Sequence, residues 1–255
     1  MVFVLYLILY SLLFAVGACL YSFLNVIVFR IPRGEGFLRG RSRCPSCGRE
    51  LTAGDLVPIF SFLFLRGKCR TCGAKIPVRD TLTEGFGGAL ACLCFWQYGG
   101  SPKAILAFGF LFLLTATALI DADTMEIPDG FSIGIALLGG IAFFIFPEID
   151  GKERLIGAVV VSLPLFLLTL LIPGAFGGGD IKLTAAAGLF LGWKLVLIAL
   201  MLAILSGGGY GAYLLAKKKL GRKDHFAFGP FLCAGMGISL LWGEALLAWY
   251  WSLWW

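Results

Sequence analysis

Gly177-Gly-Gly-Asp180-Ile-Lys-Leu-Thr-Ala-Ala-Ala-Gly-Leu-Phe-Leu191 is the stretch on which the architecture turns. Its apolar part, 181–191, is too short to cross a bilayer alone, because a crossing takes about 20 residues. Seven other apolar runs, at 2–29, 82–98, 104–120, 131–146, 155–172, 193–216 and 228–255, read as spans. The chain is 59% hydrophobic and 14% charged, against about 25% charged in soluble domains. It therefore reads as a polytopic membrane protein, and whether 181–191 crosses sets the parity of everything after it.

Charge resolves the parity. Residues 30–81 hold eleven of the 21 Lys and Arg, and 217–223 hold five more; the connection 147–154 holds two against three acids. Basic residues stay on the cytoplasmic side. Both basic loops are cytoplasmic only if 181–191 counts as a crossing, which gives about eight transmembrane segments. The net charge of +6 is thus topological and implies no nucleic-acid partner. The first run lacks a basic n-region and a small-residue cleavage site, so it reads as a retained helix and not as a cleaved signal. The expected fold is an all-α polytopic membrane helical bundle. Residues 1–29 form the first transmembrane helix, 30–81 a cytoplasmic loop, and 82–255 the transmembrane core.

Within the loop stand Cys44-Pro-Ser-Cys47-Gly and Cys69-Arg-Thr-Cys72-Gly. Two CxxC pairs at this separation are a zinc signature. Four thiolates complete a tetrahedron and leave no open position, so Cys44, Cys47, Cys69 and Cys72 are expected to hold a structural Zn²⁺. A cytosolic loop disfavours stable disulfides between them. Cys19, Cys92, Cys94 and Cys233 lie in apolar runs and read as small buried residues.

The parity that places 30–81 inside also places 121–130 and 173–180 at cytoplasmic helix ends. There stand Asp121-Ala-Asp123-Thr-Met-Glu126-Ile-Pro128-Asp129, after the third run, and Gly177-Gly-Gly-Asp180. Carboxylates beside hydrocarbon are costly and seldom lack a purpose. Two that meet, sharing one proton, are the minimum equipment for aspartyl-type hydrolysis. Asp121 and Asp180 are the candidates, with Asp123 a rival for the first. Asp129 suits an N-cap, and Asp180 could cap its own helix. The one histidine, His225, falls in the second basic loop and reads as exposed. No GxSxG, HExxH or Walker A motif is present. Gly207-Gly-Gly209 lies within a helix and suits close packing.

These features resemble the bifunctional type IV prepilin peptidases, aspartic intramembrane proteases that process type IV pilins and type II secretion pseudopilins. The likeness rests on Ser22-Phe-Leu-Asn25 with Arg30 and Pro32, the paired CxxC loop and Pro58-Ile-Phe-Ser61 with Leu65-Arg-Gly67. It also rests on the 120–129 segment and on Gly177, Gly179 and Asp180 as the family's GxGD motif. Tyr21 replaces a usual small residue, and Arg79-Asp80-Thr81-Leu82-Thr83-Glu84 departs from the usual Arg-Tyr-Pro-Leu-x-Glu.

The resemblance implies cleavage of a basic prepilin leader at the cytoplasmic face of a bacterial inner membrane, with Asp121 and Asp180 catalytic. N-methylation of the new terminus with S-adenosylmethionine would follow. Charge complementarity suggests that Glu35, Glu50, Asp55, Asp80 or Glu84 receives the leader. The alternatives are a peptidase without methyltransferase activity and an acid-lined transporter; the latter would place acids deeper in several helices.

Overall fold

The computed structural model describes residues 1–37, 40–172, 174, 176–217 and 226–254; His225 and most of the second basic loop lie outside them. Among the described residues the regular structure is helical, apart from two isolated bridges, Arg43 with Glu50 and Lys68 with Lys75. The chain divides into two compact units, Met1–Gly100 and Ser101–Trp255.

In the first unit, α1 (Val2–Arg30) packs against α3 (Val78–Tyr98), and the 30–81 loop with its short helix α2 (Phe60–Phe64) runs between them. Tyr21 is wholly buried at this interface. A side chain at Gly87 would collide with its ring at 2.1 Å, so the bulk at position 21 is accommodated by an absent side chain on α3. Asn25 locks the end of α1 to the start of α3. Its Nδ2 donates to the Asp80 carbonyl at 3.0 Å, and its Oδ1 accepts from the Thr83 hydroxyl at 2.7 Å. In an apolar medium such bonds face little competition from water.

The second unit comprises α4 (Pro102–Thr124), α5 (Asp129–Ile145), α6 (Gly151–Val160), α7 (Ser162–Leu171), α8 (Gly178–Ala216) and α9 (Gly229–Ser252). α6 and α7 together make one apolar stretch of membrane-crossing length, Gly151–Leu171, interrupted at Val161 (φ −101°, ψ −47°) ahead of Pro164.

α8 does not run straight. Phe176, just before it, packs edge-on against Phe228 with ring centroids 5.9 Å apart. A side chain at Gly207 would meet the same Phe228 ring at 3.0 Å. A straight helix would separate residues 178 and 207 by roughly 43 Å. The chain therefore doubles back, and the one residue with non-helical dihedrals, Gly192 at φ 76° and ψ 173°, is the hinge. That conformation is open to glycine and costly for other residues.

The first arm, 178–191, contains the marginal segment 181–191, and the reversal at Gly192 separates it from the second arm as an element of its own. Five described helices are long and apolar enough to cross a membrane: Val2–Arg33, Pro102–Thr124, Gly151–Leu171, Gly178–Ala216 and Gly229–Ser252. Splitting α8 into its two arms and adding α3 and the shorter α5 gives the eight segments expected from charge.

The first arm is about 21 Å long, short of the ~30 Å hydrocarbon core. The second arm returns past the level of Phe228 by nine residues, about 13 Å. The end of the first arm that carries Asp180 therefore lies short of the tip of its partner.

Two short helices that end inside a membrane leave carbonyls unpaired, which hydrocarbon does not tolerate. Arg154 meets that need. Its guanidinium donates to the carbonyls of Ala142 and Phe146 at the end of α5, and of Leu189 and Phe190 at the end of the first arm, all at 2.9–3.0 Å. Nε adds Ile149 at 3.3 Å. The residue is 3% exposed, so it is a buried helix cap and not one of the topological loop charges, as its place in 147–154 had suggested.

Candidate active site and metal centre

Four helix ends of the second unit converge around the two aspartates. Asp121 stands in the last turn of α4, which closes at Met125 in a left-handed conformation whose N–H returns to the Asp121 carbonyl at 2.8 Å. A carboxylate at a helix C-terminus is poorly placed against the helix dipole. Here the first residue of α9 compensates: Gly229 N–H donates to Asp121 Oδ2 at 3.0 Å.

Asp180 occupies the third position of α8 and accepts from the Gly177 N–H at 3.3 Å through Oδ2. It is thus inside the helix, with Gly177 at the cap position where Asp180 itself was an option. Each carboxylate sits against the partially positive start of a helix, which offsets part of its charge.

The surroundings tie these ends together. Ile127 fills the space over Gly179, where a side chain would lie 2.8 Å from Ile127 Cβ. Lys182 Nζ pairs with Asp129 Oδ1 at 2.8 Å, and Phe176 packs on Phe228. Asp180 lies within electrostatic range of Asp121, and the buried Cys233 thiol within range of both. Asp121 is 5% exposed and Asp180 9%, whereas Asp123, Glu126 and Asp129 are exposed. Asp180 Oδ1 is buried with no hydrogen-bond partner among the described residues. A buried carboxylate oxygen left open is costly in a structure whose only purpose is packing. Two such groups can hold a water between them, one as base and one as acid.

Asp129 was expected to cap its helix. Instead Pro128 holds the cap position, and the Asp129 side chain turns to Lys182.

The cysteine loop is built from two near-identical knuckles. Cys44 N–H bonds to the Arg49 carbonyl at 2.9 Å and Gly48 N–H returns to Cys44 at 2.9 Å; Cys69 with Ala74, and Gly73 with Cys69, repeat the pattern at 2.7 and 3.0 Å. Gly48 and Gly73 both take positive φ, 69° and 70°, which is why a glycine follows each pair. The four Sγ atoms lie within 4.8 Å of one another, with Cys44 and Cys72 3.9 Å apart. Tetrahedral Zn²⁺ with bonds of ~2.3 Å needs sulfurs about 3.8 Å apart. The donor set fits zinc, and no disulfide is formed. The N–H groups of Cys72 and Thr71 point at the Cys69 sulfur and hold its pKa down at about 6. The N–H groups of Cys47 and Ser46 lower that of Cys44 in the same way. For these two sulfurs the thiolate, the ligand form, is favoured, whereas burial and the neighbouring sulfurs push Cys72 up to about 11.

The acids suggested as leader receptors are mostly committed within the loop. Glu50 pairs with Arg41 and Arg43, and Asp55 with Arg49 and Arg70. Glu84 accepts the Ile59 N–H at 2.8 Å.

Comparison with known proteins matches residues 15–98 to the bacterial peptidase A24 N-terminal domain and residues 107–212 to the type IV leader peptidase family. A protein of Bacillus subtilis (strain 168) named prepilin leader peptidase/N-methyltransferase is 33% identical over 240 residues, covering 94% of this chain and 97% of its own. A Pseudomonas putida protein of the same name is 31% identical over 259 residues, covering 91% and 90%. One from Myxococcus xanthus (strain DK1622) is 34% identical over 209 residues, 80% of this chain and 62% of its own. No solved structure matches.

Proposed function

The chain belongs to the type IV leader peptidase family, and on that premise we propose that it is a membrane-embedded aspartic endopeptidase that removes the leader of prepilins and pseudopilins and then N-methylates the new terminus. The observation that carries this reading is the pair of buried carboxylates, Asp121 and Asp180, brought by separate helix ends into one cluster.

One carboxylate, ionised, takes a proton from water as its oxygen attacks the scissile carbonyl carbon. The other, protonated, gives its proton to the carbonyl oxygen. Collapse of the tetrahedral intermediate breaks the C–N bond, and the proton held by the first group passes to the departing amine. Gly229 N–H fixes one oxygen of Asp121 and Gly177 N–H one oxygen of Asp180, so the remaining oxygens face the reaction. Burial favours Asp121 over the exposed Asp123 for the first role.

The cluster lies at one end of the second unit, and the basic residues of 30–81 and 217–223 support a position for that end on the cytoplasmic side of a bacterial inner membrane. There a prepilin presents its leader junction. The four cysteines would hold a structural Zn²⁺ that clips the loop. S-adenosylmethionine supplies the methyl group when bound. That half of the reading rests on the relatives' names.

The test is a processing assay with the purified full chain and a prepilin. Asp121→Asn and Asp180→Asn should each abolish cleavage while Asp123→Asn retains it. Normal cleavage by either of the first two variants removes that residue from the mechanism. Mass spectrometry of the mature pilin terminus separates a bifunctional enzyme from a peptidase alone.

A further inference from the structure

The cytoplasmic loop carries an apolar surface that neither the zinc knuckles nor the aspartates use. Leu56, Val57, Phe60, Leu63 and Phe64 are all exposed, Phe64 at 84%. A polar loop has no reason to present two phenylalanines and three aliphatic side chains together to water.

The backbone is set to keep them outward. The residues bracketing α2, Ile59 and Arg66, both have positive φ, 63° and 51°, an unfavourable conformation for side chains of their size. The bend is pinned from two sides. Ile59 N–H donates to Glu84 Oε2 at 2.8 Å, and the Phe62 ring folds inward over Gly67.

Glu84 lies six residues into α3, about 9 Å along its axis. That is the stretch where Val78, Leu82 and Phe86 form an exposed apolar face at the helix's entry to the bilayer. Asn25 of α1 meets α3 at the same level. The patch is thus held at the membrane boundary and continues a lipid-facing surface. Beside it Arg66 and Lys68 are exposed and have no acidic partner among the described residues.

We propose that residues 56–64 lie in the interfacial layer of the bilayer, with Phe60, Leu63 and Phe64 among the acyl chains and Arg66 and Lys68 on anionic headgroup phosphates. Apolar side chains flanked by basic ones are the composition that binds this layer. The zinc knuckle at Cys69–Cys72 follows within a few residues, so the same contact fixes the metal-clipped loop flat against the surface.

The experiment uses the full chain reconstituted in phosphatidylcholine bilayers, with and without phosphatidylglycerol, doped with a lipid bearing a diazirine on its acyl chain. After irradiation, labelled peptides are mapped by mass spectrometry. Label is expected on 60–64 at a density similar to that on 82–86. Phe60→Glu with Phe64→Glu should lower it several-fold while leaving 82–86 and zinc content unchanged. Arg66→Glu with Lys68→Glu should lower it only when phosphatidylglycerol is present. Unlabelled 60–64 beside labelled 82–86 in the wild-type chain would overturn the proposal. If the double glutamate variant loses zinc, the wild-type pattern decides.

Discussion

An alanine at position 229 would carry its methyl group to 2.5 Å from Asp121 Oδ2 and 2.9 Å from Cγ. Ordinary contact begins at 3.4 Å, so the carboxylate would have to retreat by about 0.9 Å, giving up the 3.0 Å bond from the Gly229 N–H. The retreat cannot be shared with the backbone of α4, which Met125 N–H fixes through the Asp121 carbonyl. A misplacement of ~1 Å in a reacting group costs on the order of 10²-fold in rate, roughly 2.7 kcal/mol of barrier. Alanine is otherwise welcome in a first helical turn, so folding should survive. The assay is single-turnover cleavage of a prepilin by the purified Gly229→Ala chain, with Gly209→Ala as control, since nothing lies within 4 Å of that position's Cβ. The expected result is a fall of about 100-fold in kcat with KM little changed, and none for the control. Wild-type turnover by Gly229→Ala would refute the placement of Asp121 against α9 and its role with it.

Arg154→Met should destabilise the second unit by about 3–5 kcal/mol, because it removes the buried guanidinium whose bonds to Ala142, Phe146, Ile149, Leu189 and Phe190 join the end of α5 and its following turn to the end of the first arm; thermal unfolding in micelles reads this, and Arg154→Lys should recover part of it. Removing zinc with a chelator should loosen residues 44–73 to proteolysis while leaving the second unit's melting unchanged, and metal analysis should find one zinc per chain, lost in Cys69→Ser. The Thr52 N–H and the Arg49 guanidinium hold the Asp55 carboxyl at about 2, below its ordinary 3.8. A carboxyl lowered on folding stabilises above its unfolded pKa and stops doing so as pH falls through its folded one. Hydrogen-exchange protection of the 52–56 turn, corrected for intrinsic rate, should therefore fall between about pH 4 and pH 2; Asp55→Asn should remove that step.

The sequence made the apolar helices legible because hydropathy summed over 15–25 residues outweighs local noise, and the four-cysteine cluster because CxxC spacing is a matter of reach along the chain. Asp180 was legible from its glycines. Asp121 and Asp123 could not be separated there, since two residues on a helix differ by about 200° in direction and only packing says which face is inward. Arg154 was hidden for a related reason. A count of loop charges treats every arginine as solvated, and its partners are carbonyls up to 36 residues away. The intraloop partners of Glu50 and Asp55 were hidden similarly: both acids pair with arginines of their own loop, a pairing that complementarity with an outside partner cannot foresee. That α8 turns back at Gly192 was implied by charge parity, though the position of the turn was not.

The reversal at Gly192 bears on how the chain is made. Fourteen residues of the first arm are too short on their own to reach from one headgroup layer to the other. The longer returning arm supplies the missing length, so the two are expected to partition together as a closed hairpin. Seating of the end that carries Asp180 would then depend on a downstream segment, and a chain truncated before residue 216 should fail to seat it.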